Sequence, residues 1–129
     1  MKLLQDAAEL KRLIEAAPEP KQCKCGLGPC TGWDSLTESR WPSHSMQAVA
    51  TLRDPQVEEP TFEEKHPEGT RYESPTAPVA VKFFPYNRCD VWLCSTCQRH
   101  YMRYTEFGGY YVDHRVRELT AQLVILASE

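Results

Sequence analysis

The sequence lacks a long hydrophobic run and lacks an excess of positive charge, and both absences exclude classes of protein. No apolar stretch approaches the roughly 20 residues that a membrane-spanning helix needs. The first residues also lack the continuous apolar stretch of a secretory signal peptide, because Asp6 and Glu9 interrupt it. A formal net charge of -3 argues against a dedicated nucleic-acid-binding protein, which normally carries a basic excess. We therefore expect a cytoplasmic protein.

The chain also lacks the sequence motifs of several common enzyme classes. It contains no glycine-rich phosphate loop of the Walker or dinucleotide form, no G-x-S-x-G and no H-E-x-x-H. The histidines are scattered at spacings that define neither a catalytic triad nor a metal cage. They are His44, His66, His100 and His114. We therefore expect a protein that is not an enzyme.

The chain does have enough apolar residues for one compact domain. Of the 129 residues 41% are hydrophobic and 26% are charged, so a core can form and wholesale disorder is not expected. We predict a single domain, 1–129, with three parts. Residues 1–53 hold an N-terminal helix and a first cysteine cluster, 54–78 form an acidic, proline-rich loop, and 79–129 hold a β-hairpin, a second cysteine cluster and a C-terminal helix.

Six cysteines in two clusters are the strongest chemical signal in the sequence. The clusters are Cys23, Cys25 and Cys30, and then Cys89, Cys94 and Cys97. In a reducing cytosol, clustered cysteines are more typical of metal ligands than of disulfides. Cys94-x-x-Cys97 has the spacing of a zinc knuckle. A zinc knuckle is a tight turn that points two thiolates at one metal ion, and its backbone N–H groups offset part of the negative charge of the sulfurs. Gly26, Gly28 and Pro29 give the first cluster the turn that a second knuckle needs.

We predict that four of these thiolates bind one structural zinc ion in a closed tetrahedral site. They are Cys25, Cys30, Cys94 and Cys97. Cys23 could substitute for a ligand, and so could His100, although a solvent-facing strand position is the favoured interpretation of His100. Cys89 is interpreted as a small buried residue beside Trp92. Disulfides in an exported protein, a redox or iron–sulfur role and unliganded thiols remain open. Because four thiolates leave no open coordination position, catalysis by the zinc is disfavoured.

The hydrophobic pattern predicts an α+β fold, in which a small antiparallel sheet with a zinc-knuckle hairpin is flanked by N-terminal and C-terminal helices. Apolar residues at three-and-four spacing predict a helix over 3–17, and a similar stripe after Asp113, a plausible N-cap, predicts the final helix. β-branched and aromatic residues predict four strands. They span 79–85, 90–94, 99–107 and 110–112, with a turn at 108–109. Residues 33–42 fit a turn or short helix, and 46–52 fit a strand or short helix.

The loop between the two cysteine clusters is strongly acidic. Residues 54–78 hold seven acidic residues against two basic ones, and prolines punctuate them, so the segment cannot form a sheet interior. Such a segment is most often a solvated face. The functional interpretation is a contact surface for a basic partner, because complementary charge speeds and selects association. The candidate contact residues are Glu58, Glu59, Glu63 and Glu64.

The segment from Cys94 to Arg115, CSTCQRHYMRYTEFGGYYVDHR, resembles small bacterial proteins that are the immunity partners of polymorphic or interbacterial toxins. The resemblance covers roughly the last 50 of the 129 residues and transfers no binding residue to this chain. It implies a single-domain, cytoplasmic, non-enzymatic protein that blocks a toxin by occupying the active site of the toxin. The favoured hypothesis is therefore a zinc-stabilised protein-binding module whose partner is a basic toxin domain.

Two other hypotheses remain open. A zinc-ribbon nucleic-acid-binding or regulatory module would stack bases on the basic and aromatic residues of the hairpin. Cross-strand aromatic pairs also build hairpin cores, which is the favoured interpretation of these residues. They are Arg99, Arg103, Arg115, Arg117, Tyr101, Tyr104, Phe107, Tyr110 and Tyr111. An enzyme with a zinc or cysteine centre is the third hypothesis.

Overall fold

The structure, a computed structural model, describes residues 2–4, 6–16, 33–35, 37–57, 79, 81, 83–95, 97–107, 112–120 and 124. Within these residues it is a small α+β fold of one helix and one six-stranded sheet. The elements in chain order are β1 (Lys2–Leu3), α1 (Ala7–Glu15), β2 (Asp34–Ser35), β3 (Met46–Thr51), β4 (Asp90–Cys94), β5 (His100–Phe107) and β6 (Val112–Leu119). Short 3-10 helices lie at Glu38–Arg40 and Tyr86–Arg88.

The strands lie in the order β1-β3-β4-β5-β6-β2. All neighbours pair antiparallel except β1, which is parallel to β3. The longest ladder joins β5 to β6 and runs from the pair of His100 and Leu119 to the pair of Phe107 and Val112. A bulge in β3 lies between Ala48 and Ala50.

The strand register divides the buried residues between the two faces of the sheet. Val91 pairs with Met102, and their side chains pack with Leu10 of α1 in the main cluster of buried residues. We call this cluster the larger core. The neighbouring pair of Trp92 and Tyr101 belongs to the opposite face, because successive side chains of a strand alternate. We call the cluster on this second face the smaller core. Its buried residues are Trp41, Met46, Cys94, Cys97, Tyr101 and Val116.

The predicted N-terminal helix is confirmed over Ala7–Glu15. Asp6 is the N-cap, and its Oδ1 atom accepts a hydrogen bond of 2.8 Å from the backbone N–H of Glu9. The helix begins later than the predicted residue 3, because Lys2–Leu3 pairs with β3 as the strand β1. No helix in the described part of the chain is long and apolar enough to cross a lipid bilayer.

The predicted C-terminal helix is wrong over residues 113–119, because Val112–Leu119 forms the strand β6. Of the residues after β6, the structure describes 120 and 124, and the rest of the predicted helix lies outside the described residues. The apolar spacing between Val116 and Leu119 suggested one face of a helix. On a strand the same spacing places Val116 in the smaller core and Leu119 in the larger one. Because the sheet is buried on both faces here, β6 lacks the simple alternation that identifies a half-buried strand.

The predicted strand at 79–85 is wrong in its described residues. Val79 forms only an isolated parallel bridge with Val124, and the chain then turns before the 3-10 helix Tyr86–Arg88. Phe83 and Phe84 pack against the larger core, so burial without strand pairing explains their apolar character. The predictions of strands at 90–94 and 99–107 are confirmed by β4 and β5. Of the two options for 46–52, the strand is correct.

Residues 33–42 combine the strand β2 with the 3-10 helix Glu38–Arg40. This agrees with the predicted turn or short helix only in part, because Asp34 and Ser35 pair with Val116 and Arg115 of β6. The predicted turn at 108–109 lies outside the described residues.

Candidate functional site

Cys94 and Cys97 lie in the tight turn that joins β4 to β5. The backbone N–H of Cys94 donates to the carbonyl of Arg99 at 3.0 Å, and the N–H of Gln98 donates to the carbonyl of Cys94 at 2.8 Å. Gln98 adopts a φ of 64°, the left-handed conformation that lets the chain reverse within a few residues. The C-x-x-C pair of the sequence is therefore presented from a single closed turn.

Both cysteines are fully excluded from solvent and belong to the smaller core. Aromatic rings enclose this region, since Trp41 packs edge-on against Trp92 with 5.3 Å between ring centroids. The guanidinium carbon of Arg103 lies 4.5 Å from the centre of the Trp41 ring. A thiolate in such a water-poor place is stable only beside a positive charge, which a metal ion could supply.

The structure brings together one half of the predicted zinc site. The other two predicted ligands, Cys25 and Cys30, lie outside the described residues, and so does the substitute ligand Cys23. Within the described ranges, no group of three or more His, Cys, Asp or Glu side chains could hold a metal ion. The zinc site therefore stays a prediction, with its C-x-x-C half located.

The predicted partner-binding residues Glu58, Glu59, Glu63 and Glu64 also lie outside the described residues. Of the acidic segment 54–78, the structure describes residues 54–57. Asp54 begins a turn there, in which its Oδ1 atom accepts a hydrogen bond of 2.9 Å from the backbone N–H of Gln56. The role of the four glutamates stays a prediction.

His100 is a buried strand residue, so the expectation that it faces solvent is wrong. Only 4% of its surface is exposed, and this burial lowers the pKa of its imidazole. His100 pairs with Leu93, whose side chain points to the opposite face of the sheet from that of its neighbour Cys94. The register therefore disfavours His100 as a partner of Cys94 in one metal site.

Cys89 is buried, as predicted, but it lies in the larger core, whereas Trp92 packs against the smaller one. Its Sγ–H donates to the carbonyl of Pro85 at 3.4 Å. Burial raises the pKa of the Cys89 thiol well above its usual value, which keeps the thiol neutral and unreactive. No disulfide joins Cys89, Cys94 and Cys97.

The arginines proposed for nucleic-acid binding make contacts within the sheet. Arg99 forms an ion pair of 2.6 Å with Glu118. Arg115 forms an ion pair of 3.3 Å with Asp113. Arg117 is fully buried, and its Nη1 atom donates to the hydroxyl of Tyr86 at 2.8 Å. These groups hold the sheet together and do not form one exposed basic face.

The tyrosines of the same hypothesis are also core residues where the structure describes them. Tyr101 and Tyr104 are 1% and 4% exposed, and they lie on opposite faces of β5. The side chains of Phe107, Tyr110 and Tyr111 lie outside the described part of the chain. The interpretation of these aromatic residues as hairpin core is confirmed for the two described tyrosines.

Sequence reasoning missed a cleft of about 500 Å³ at the end of the sheet where β3 ends and β4 begins. Its polar lining includes Arg53, Arg88, Asp90, Arg103 and Thr105. These residues come from separate segments of the chain, and no motif joins them. The cleft depends on the pairing of Asp90 with Arg103 in the β4–β5 register, so no signal in the sequence alone could have revealed it.

Comparison with protein-family models, with curated proteins and with solved structures finds no match for this chain.

Proposed function

We propose that this chain is a non-enzymatic, zinc-stabilised, cytoplasmic protein-binding module that neutralises a basic toxin domain in the manner of an immunity protein. The observation that carries the zinc part is the turn at Cys94 and Cys97. Both thiols are buried in one cluster, and the residue after the second cysteine has the left-handed backbone conformation of a tight turn, which is the arrangement that a zinc knuckle would need. Cys25 and Cys30 would complete the tetrahedral site.

A zinc ion in this position would be a cross-link between distant parts of the chain. The predicted ligands at 25 and 30 precede those at 94 and 97 by 64 to 72 residues, about half of the 129-residue sequence. Joining them removes chain entropy from the unfolded state and stabilises the folded one. A rigid scaffold of this kind also lowers the entropic cost of binding a partner.

The protein-binding part of the proposal is supported by charge. The ion pairs of Arg99 and Arg115 and the burial of Arg117 make these cations parts of the scaffold. The acidic segment that contains Glu58, Glu59, Glu63 and Glu64 is the strongest concentration of one charge in the sequence. The resemblance of the segment from Cys94 to Arg115 to toxin immunity proteins favours a basic toxin domain as the partner.

The zinc content of protein purified without added metal tests the scaffold. We expect one zinc per chain by elemental analysis, and loss of that zinc in C94S and in C97S. C89S is the matched control, because serine can keep the contact that Cys89 makes with the carbonyl of Pro85. Zinc-free wild-type protein that melts at the same temperature with and without added zinc would contradict the proposal.

Charge reversal tests the binding surface. The partner to use is a basic toxin domain encoded beside the gene of this chain. We expect E58K/E59K and E63K/E64K to weaken binding by at least about tenfold, mainly through slower association at low salt. The control E15K/D34K makes the same charge change at two exposed positions of α1 and β2 and is expected to bind normally. Equal affinities for all variants would remove the acidic segment from the proposal.

A further inference from the structure

Arg99 lies directly opposite Cys94 at the turn that joins β4 to β5. The ladder of these two strands ends at the pair of Leu93 and His100, so the next pair in the same register is Cys94 and Arg99. The backbone agrees, because the N–H of Cys94 donates to the carbonyl of Arg99. Opposite residues of an antiparallel pair have Cβ atoms about 4.5–5.5 Å apart and project to the same face. The side chain of Arg99 therefore starts beside that of Cys94, on the face of the smaller core.

Glu118 holds the guanidinium of Arg99 on this face. Glu118 pairs with Tyr101 in the β5–β6 register, and Tyr101 lies in the smaller core, so both side chains project to the same side of the sheet. The Oε2 atom of Glu118 lies 2.6 Å from the Nη1 atom of Arg99. The side chains of Arg99 and Glu118 are 32% and 15% exposed, so the pair lies at the border between this core and solvent. A charged hydrogen bond fixes the position of a long and otherwise flexible side chain.

The pair is oriented with its positive member toward the cysteines. Because β5 lies between β4 and β6, Arg99 is one strand away from Cys94, whereas Glu118 is two strands away. The hydrogen bond with Glu118 raises the pKa of Arg99, burial opposes this change, and the charges of Glu118 and Cys97 add to it. Cys97 is thus close enough to interact electrostatically with Arg99. Since electrostatic energy falls with distance, the two thiols are influenced more by the guanidinium than by the carboxylate.

A cation in this position matters for the charge of the zinc site. Four thiols that bind a zinc ion release four protons, and the ion offsets two of the four negative charges, so two negative charges remain on the site. Cys94 and Cys97 have no exposed surface, so water compensates this charge poorly. Groups outside the ligand set that stabilise the bound ligands raise the affinity of a site for its metal.

We propose that Arg99 stabilises the zinc site by offsetting part of the negative charge of the Cys94 and Cys97 thiolates, and that Glu118 positions its guanidinium. This inference rests on the zinc site of the proposed function and adds two residues that are not ligands. A purely structural ion pair loses the same contact whichever member is removed. An electrostatic role for Arg99 gives different results for the two members, because removal of the cation and removal of the anion change the potential at the sulfurs in opposite directions.

The zinc affinities of matched variants test the proposal. They are measured on the full-length protein by competition with a chromophoric zinc chelator. R99Q is expected to weaken zinc binding by about tenfold, the lower end of the range of about 10–100-fold for groups outside the ligand set, because the pair is partly exposed. R99K keeps the charge and should stay within about threefold of the wild type. E118Q keeps an oxygen acceptor for Arg99 but loses the negative charge, so it should bind zinc at least as tightly as the wild type.

The control variant is R12Q. It removes the same charge from an exposed position of α1, which packs against the larger core on the other face of the sheet. Its zinc affinity is expected to change less than about twofold, because exposed charges at a distance are screened by salt. Equal weakening in R99Q and E118Q would overturn the proposal, since the pair would then act only through the fold. Equal affinities of R99Q and R12Q would overturn it as well.

Two further measurements keep the test decisive. Wild-type protein that binds no zinc would overturn both this inference and the zinc part of the proposed function, whereas zinc binding that R99Q leaves unchanged would overturn the inference alone. At saturating Co²⁺, the thiolate-to-metal absorption should be equal in R99Q and the wild type. A weaker absorption in R99Q would overturn the proposal, because Arg99 would then act on the number of sulfur ligands. Circular dichroism shows whether R99Q folds, and if it does not, R99K and E118Q decide.

Discussion

Arg117 of β6 donates a hydrogen bond from its Nη1 atom to the hydroxyl oxygen of Tyr86, 2.8 Å away, inside the protein. Arg117 has no exposed surface, and Tyr86 is 3% exposed. Burial raises the pKa of Tyr86, although the positive charge of Arg117 opposes that change. A guanidinium is stable in such a place only when its donors are bonded, so this contact fixes the 3-10 helix Tyr86–Arg88 against the sheet.

Removing the hydroxyl of Tyr86 should therefore destabilise the fold. We expect Y86F to lower the free energy of unfolding by about 1–3 kcal/mol, because a buried charged donor loses an acceptor. Urea unfolding monitored by circular dichroism measures this change. In an R117M background the same Y86F substitution should cost much less, since the donor is gone. An identical cost in both backgrounds would show that the hydroxyl acts through other contacts.

The buried imidazole of His100 should make stability depend on pH. Its pKa is lowered in the folded protein, whereas the unfolded chain titrates near the ordinary value of about 6.5. As the pH falls through 6.5, the unfolded state binds a proton that the folded state does not, so stability is lost until the folded pKa is passed. We expect H100Q to have a smaller difference in melting temperature between pH 7.5 and pH 5.0 than the wild type.

The matched control for this experiment is H44Q, which changes an exposed histidine. H44Q should keep the pH dependence of the wild type. The comparison uses the difference between two pH values, so a constant destabilisation of H100Q does not affect it. If H100Q and wild type lose the same number of degrees between the two pH values, groups other than His100 cause the acid sensitivity.

The left-handed backbone at Gln98 should favour glycine. A residue with a Cβ atom pays about 1–2 kcal/mol to adopt this conformation, whereas glycine does not. We expect Q98G to raise the free energy of unfolding by about 0.5–1 kcal/mol. Part of the gain is lost, because the Nε2 atom of Gln98 donates to the carbonyl of Ser95 at 3.0 Å. Thermal unfolding at neutral pH measures the effect.

The same substitution at Gln47 gives the control for Q98G. Gln47 is exposed in the extended strand β3, where glycine should destabilise by about 0.5–1 kcal/mol. Opposite signs for Q98G and Q47G would support the assigned conformation of the turn. A loss of stability in Q98G would mean that the glutamine side chain matters more than the backbone strain.

The N-cap of α1 offers a further test of local structure. D6A removes the side-chain acceptor of the Glu9 backbone N–H and should destabilise the protein by about 1 kcal/mol. D6N keeps an oxygen acceptor and should lose much less. Both values can be measured by urea unfolding. Equal losses for D6A and D6N would point to the charge of Asp6, and not to its hydrogen bond, as the stabilising feature.

The helix around Leu10 was predicted from the regular spacing of its apolar residues, and the strands β4 and β5 were predicted from their β-branched and aromatic residues. The apolar pattern failed at β6, because Val116 and Leu119 lie in different cores although their spacing is that of one face of a helix. The orientation of His100 and the cleft around Arg103 depend on strand pairing, which sequence periodicity does not contain. Of the predicted metal ligands, the spacing of Cys94 and Cys97 alone was enough to place both in one turn.

The two outermost strands of the sheet, β1 and β2, have only two residues each, and both come from the first 35 residues of the chain. They pair with Ala50 and Thr51 of β3 on one side and with Arg115 and Val116 of β6 on the other. Without them, these positions of β3 and β6 would offer unpaired N–H and C=O groups to any other extended chain. The N-terminal region thus has a protective role, and its removal would favour self-association of the remaining sheet into aggregates.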